Sequence, residues 1–203
     1  MAENGVLPDQ RLDRLIKWAG LFEVQIDNLN NDFIKFKLQS EEGSDLLEDA
    51  MNQASRAISD ERKKYIASLL KKSLTLDDLD HIGKKKLFAI LNDLNDAEIL
   101  TLKFNSITSR NQQIEFAEKH SELFTPISLH TGCSQQDIDK AALRNTYQRK
   151  LMEHGLLQSS YPKPRKGQLP EFDENTGMLK ARGHHITSLG KLLLRYTDIA
   201  EPE

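Results

Sequence analysis

Apolar residues recur at three- and four-residue intervals along most of this chain. That period predicts amphipathic helices. A first helical stretch covers Pro8 to about Leu38. Leu12, Leu15, Ile16, Ala19 and Phe22 form its first stripe, and Ile26, Leu29, Phe33 and Phe36 continue it. Asn28, Asn30 and Asn31 predict a break, because asparagine competes for its own backbone. Trp18 reads as a core or dimer-face residue. Gln39–Ser44 reads as a loop, with Ser44 capping a helix over Asp45–Lys72. A second cap at Ser59 or Asp60 would divide that helix in two. Thr75 is expected to cap a short helix with Asp77 and Asp78 in its first turn, where acids suit the dipole. Lys84–Leu94 continues as helix.

Asn95 caps Asp96–Ser106, a stretch that joins a capping residue, early acids and apolar periodicity. Asn111–Phe124 follows as one helix, with Ile114, Phe116, Ala117 and Leu123 inward, and Pro126 ends it. Ser134 caps the last long helix. Its inward residues are Ile138, Ala141, Ala142, Tyr147, Leu151 and Met152, and Gly155 closes it in the left-handed conformation. The period then changes. GLL at 155–157 begins a short strand, YPKPRKGQLPEF opens a charged excursion, and Ile186 lies on a return strand before a closing helix.

Charge sharpens this division. The chain carries a net −3, yet Lys140 to Arg195 holds eleven Lys and Arg against four acids, a local +7. A basic module attached to an acidic body points to nucleic acid or another polyanion, or else to a solvated charged surface. The single cysteine, Cys133, forms no internal disulfide and fits a reducing compartment as a small loop residue. Met1–Pro8 is short and polar, unlike a signal peptide, and the longest apolar runs fall far below a membrane span. A soluble, cytoplasmic protein that makes no membrane contact is expected.

No catalytic constellation stands out. The chain has no Gly-rich phosphate loop, HExxH, CxxC or GxSxG. His184 and His185 are adjacent, so a strand points them to opposite faces. A non-enzymatic protein with no cofactor and no metal site is expected. The candidate site is therefore the basic face. Lys140, Arg144 and Gln148 recur at four-residue spacing and are expected opposite or oblique to Ile138, Ala142 and Leu151. Arg144, Asn145, Gln148 and Arg149 are types that read base edges or clamp phosphates. Lys163, Arg165, Lys166 and Arg182 add cations along the excursion.

The C-terminal half resembles the winged-helix family. Leu94–Ile107 and Asn111–Phe124 fill the slots of its first two helices. NTYQRKLMEHGLL at 145–157 resembles the end of its recognition helix, and ITSLGKLLL at 186–194 its return strand and last helix. The resemblance implies a helix in the major groove of duplex DNA and a wing on phosphate. The excursion departs from the pattern at roughly 25 residues, against two to five for a usual hairpin loop. The segment between the second and third helices is also longer than a tight turn. The whole layout, through YIASLL, KKLFAILNDLNDAEILTL, HGLL and TSLG, is similar to bacterial abortive-infection alpha type proteins. That similarity implies a bacterial or phage-associated origin and a role in conflict with phage.

The expected architecture is mainly α. A helical bundle or hairpin over 1–92, suited to homodimerisation, precedes a winged-helix-like domain over 93–203 with a small two-stranded β wing at 158–185. The expected function is nucleic-acid binding. The alternative is a protein-interaction scaffold, with phage defence as the setting that the second resemblance implies.

Overall fold

The computed structural model describes residues 6–127, 133–163, 169, 171–172, 177 and 179–199. The protein is mainly helical, with ten helices and one two-stranded antiparallel sheet among these residues. The chain folds as two compact units. One comprises Met1–Leu94 and takes back Leu193–Glu203, and the other comprises Asn95–Leu192.

The first unit contains α1 (Val6–Ile26), α2 (Asn31–Gln39), α3 (Glu41–Ala54), α4 (Asp60–Thr75) and α5 (His81–Asp93). The break expected among the asparagines is present. Asn30 caps α2, its side-chain oxygen accepting from the amides of Asp32 at 2.9 Å and Phe33 at 3.1 Å. Ser59 likewise divides the next stretch by accepting from Arg62 N at 3.2 Å. Helix α4 lies at the centre of the unit and packs on α1, α2, α3 and α5. Ile66, Ala67, Leu69, Leu70 and Leu74 are all buried on it, so its apolar surface wraps most of the way round. Trp18 is buried and stacks on Phe22, with ring centroids 5.6 Å apart.

Several expectations are corrected here. Ser40, not Ser44, caps α3, accepting from Gly43 N at 3.1 Å. Gly43 is helical and buried, and any Cβ there would overlap the Lys37 carbonyl. The glycine permits a tight α2–α3 corner rather than a flexible loop. Residues 76–80 form no helix, and Asp80 caps α5 by accepting from Gly83 N at 2.7 Å. Leu12, Ile16, Phe33 and Phe36, placed in apolar stripes by their spacing, are exposed, and Ile34 is buried on α2 instead.

The second unit contains α6 (Asp96–Ser106), α7 (Arg110–Lys119), α8 (Ser121–Phe124), α9 (Gln135–Glu153), β1 (Leu157–Ser160) and β2 (Gly183–Ile186). The capping box at Asn95 is complete. Asn95 Oδ1 accepts from Glu98 N at 2.9 Å, and Glu98 accepts from Asn95 N at 2.7 Å. Helix α6 packs on α9 and β2 and buries Ile99 and Leu102. The stretch after Arg110 is two helices rather than one, because the backbone turns at His120. Neither buries a residue fully, and Ile114 is exposed. Phe104, Phe116 and Phe124 hold this lobe as an aromatic cluster, with the His120 ring 4.6 Å from that of Phe116. Strands β1 and β2 pair antiparallel from Leu157 opposite Ile186 to Ser160 opposite Gly183. A last helix, α10 (Ser188–Tyr196), starts in this unit and ends in the first.

Candidate nucleic-acid interface

Helix α9 and the β1–β2 hairpin carry the predicted basic residues. Ser134 starts the helix by accepting from Asp137 N at 3.2 Å. At the other end Gly155 adopts φ +68°, Leu156 N donates to Leu151 O at 2.9 Å and Gly155 N to Met152 O at 2.8 Å. This left-handed closure turns the chain directly into β1. The Thr187 hydroxyl donates to Gly155 O at 2.7 Å and accepts from Gly190 N at 3.1 Å. One side chain thus ties the return strand to the helix end and caps α10.

The facing of α9 differs from the expectation. An α-helix turns about 100° per residue, so Arg144, Gln148 and Leu151 fall in one row. Leu151 is fully buried, while Ile138 and Ala142 are exposed. Arg144 and Gln148 therefore lie on the inward row, half-buried. The Arg144 guanidinium donates through Nη1 to Thr125 O and through Nη2 to Glu122 O at 2.9 Å. It satisfies carbonyls at the end of α8 that have no intrahelical partner. Asn145 and Arg149 occupy the solvent-facing row. Glu153, exposed four residues after Arg149, shares that row and tempers its charge. Lys140 is exposed but stands about 180° around the helix from Arg149.

On the excursion, Lys163 and Arg182 are exposed. Arg182 N donates to Ser160 O at 2.7 Å, extending the pairing of β1 and β2 outward. Farther out, Phe172 and Leu179 form an antiparallel bridge, and Lys180 N donates to Glu171 O at 2.9 Å. Arg165 and Lys166 lie outside the described residues.

Part of the basic excess is matched internally. Lys150 lies 3.9 Å from the buried carboxylate of Glu98, and Lys180 lies 3.9 Å from Glu171. Arg195 pairs with Asp78 at 2.7 Å. Among the described residues, Lys140, Arg149, Lys163 and Arg182 are the exposed cations of the candidate set, with Asn145 between them in sequence. The role of Arg144 is not legible from sequence, because its partners are main-chain carbonyls about twenty residues earlier. The Lys150–Glu98 pairing escapes a sequence reading too, although Glu98 three residues after the Asn95 cap is a readable capping signal.

His184 is half-buried and His185 exposed, as alternation on β2 requires. Among the described residues no group of three His, Cys, Asp or Glu is placed to hold a metal ion, and no helix is long and apolar enough to cross a membrane. In the first unit an open cleft of about 530 Å³ between α3 and α5 is lined by Asp49, Gln53, Arg56, Ile82 and Lys85. Burial opposes the Lys85 charge there. Hydrogen bonds to Asp49 at 2.7 Å and Asp45 at 3.0 Å outweigh it and raise the lysine pKa. Compared with known proteins, the chain matches no family model, no curated protein and no solved structure.

Proposed function

We propose that the second unit binds nucleic acid without base-specific chemistry at Arg144, through Asn145 and Arg149 on α9 and Lys163 and Arg182 on the hairpin. Lys140, on the side of α9 opposite Arg149, stands outside this face. The observation that supports this reading is the exposed Asn145–Arg149 row on a helix that runs straight into a cation-bearing antiparallel hairpin. The element order resembles that of a winged helix, in which the helix enters a major groove and the hairpin holds phosphate. Arg149 and Asn145 have the donors for base edges or phosphate, and Lys163 and Arg182 supply sequence-independent charge.

Fluorescence anisotropy with random duplex DNA across a salt series tests this. Binding should weaken as salt rises, and Arg149→Glu with Arg182→Glu should abolish it. Arg149→Ala alone should lower the salt slope by about one unit. A folded protein that binds no duplex at low salt would exclude the reading.

A scaffold that contacts protein instead is the second reading. It is favoured by the exposed apolar residues Tyr161, Leu169, Phe172 and Leu179 along the excursion, which a purely electrostatic DNA contact does not require.

A further inference from the structure

The cleft between α3 and α5 lies wholly within the first unit, and every residue that lines it is described. The two helices run side by side in one direction. Asp45 meets His81, Asp49 meets Lys85 and Gln53 meets Phe88, each pair farther along than the last. Some polar groups of the cleft are already committed. Lys85 is held by Asp45 and Asp49, and Gln53 Nε2 donates to Phe88 O at 2.9 Å. These contacts build the wall and bring the two helices together.

The remaining polar lining has no such partners. Arg56 and Lys86 are exposed, and neither side chain makes an ion pair or hydrogen bond among the described residues. The exposed amides of Asn52 and Asn92 are free in the same sense. On α5, Lys86, Ala89 and Asn92 follow at three-residue steps, so the methyl of Ala89 leaves a gap between two longer polar side chains. Ile82 is 77% exposed and lies about 20° from Ala89 around the helix, which gives the gap an apolar floor. Two acids stand at the margins without lining the cleft. Asp93, one turn past Ala89, has an interaction of its own, and Glu48 lies one turn before Asn52 on the outer row of α3. The carboxylates nearest the gap, Asp45 and Asp49, are the ones bound to Lys85.

Two unpaired cations, two free amides and an apolar floor thus surround one gap. A phosphate between Arg56 and Lys86 would receive charge-assisted hydrogen bonds from both. A flat ring would cover Ile82 and Ala89. Each asparagine amide presents a donor beside an acceptor, the pairing that the edge of an adenine matches. We propose that the α3–α5 cleft binds a nucleoside phosphate. Its volume of about 530 Å³ suits a ligand of that size. The inference goes beyond the duplex-binding face of the second unit and does not rest on it. A free nucleotide and the 5′-phosphorylated end of a single strand offer the same chemistry.

Amide NMR of the full chain, titrated with AMP, adenosine and inorganic phosphate, tests the proposal. AMP should shift the amides of residues 49–56 and 82–92 saturably. Adenosine should shift the same set with about tenfold weaker affinity, and inorganic phosphate should leave it in place at equal concentration. Arg56→Gln/Lys86→Gln should weaken AMP by about tenfold and leave adenosine unchanged, because both cations serve the phosphate alone. Ala89→Phe, at an exposed position, fills the gap and should abolish the shifts from both ligands. A short 5′-phosphorylated single strand that shifts this set more tightly than AMP would assign the phosphate to a strand end, and one that binds no better would assign it to a free nucleotide. No shift at millimolar AMP would overturn the proposal. So would shifts that persist in Ala89→Phe, or inorganic phosphate acting as strongly as AMP, since each reduces the site to a charged surface. Arg149→Glu/Arg182→Glu should bind AMP as the parent does, so loss of duplex binding and loss of nucleotide binding are read separately.

Discussion

The Arg144 guanidinium closes the end of α8 by donating to Thr125 O, so a cation suited to reading DNA is committed to holding two helices together. Arg144→Ala should destabilise the second unit by about 1 kcal/mol, the scale for a partly exposed charged hydrogen bond. Hydrogen exchange should locate the loss at α8 and the first turns of α9. Arg149→Ala, five residues on and exposed, should leave the unfolding midpoint unchanged. Equal destabilisation by the two variants would contradict the facing of α9.

His120 makes the same lobe sensitive to acid. Burial against Phe116 pulls its pKa below the ordinary 6.5, with Lys119 and Lys103 adding repulsion. The unfolded chain therefore binds the proton more readily than the folded one. The neutral ring's contribution is complete above pH 6.5 and is lost as pH falls through that value toward the lower folded pKa. Exchange protection in α7 and α8 should drop between about pH 7.5 and about pH 5.5, and His120→Phe should flatten the response. A response unchanged in that variant would move its origin elsewhere.

Tyr196 is fully buried, and its hydroxyl donates to Asp78, which also accepts from Arg195 at 2.7 Å. The Tyr196 bond is the largest reason that the Asp78 pKa is lowered, with Arg195 assisting and burial opposing. Burial, followed by Asp78 itself, pushes the phenol pKa well above its usual value. Asp78 thus stabilises the fold above its ordinary pKa of 3.8, and the contribution fades as pH falls through its lower folded value. Tyr196→Phe should cost roughly 1 kcal/mol at neutral pH and much less at about pH 2. Urea unfolding at both pH values checks this, and an equal cost at each would rule out the carboxylate as the partner.

Three glycines separate close approach from mere flexibility. A Cβ on Gly190 would stand 2.5 Å from Leu156 O and 2.7 Å from Ile186 Cγ1. Gly190→Ala should cost about 1–3 kcal/mol through overpacking. Gly43→Ala should be comparably harmful, because the Lys37 carbonyl fills that space. Gly20→Ala meets nothing and should stabilise α1 by roughly 0.5–1 kcal/mol. Thermal melts of the three variants would rank them.

Local chemistry is the readable part of this chain. The caps at Ser59, Asn95 and Ser134 and the left-handed Gly155 follow from one residue and its neighbours, and each stands where the sequence places it. Ser40 and Asp80 outcompete Ser44 and Thr75 because a cap is chosen by the corner that precedes it, and the Gly43–Lys37 approach is invisible in a hydropathy pattern. Apolar spacing identifies helices but not which stripe is covered. Leu12 and Ile16 have the period of a core face and are solvent-exposed. The candidate site suffers the same ambiguity. Four-residue spacing unites Lys140, Arg144 and Gln148, while only packing shows that the row belongs to Leu151.

The return of Leu193–Ile199 to the first unit sets an order on biosynthesis. Asp78 must wait for Tyr196, 118 positions later in the chain, before its partner exists. While α1–α5 emerge from the ribosome, the site that Leu193, Leu194, Tyr196 and Ile199 fill stays open, and apolar surface is left in water. The second unit can close first, because its own chain is complete by Leu192. The N-terminal unit is thus the last to finish, and its nascent form is the state most in need of protection from aggregation.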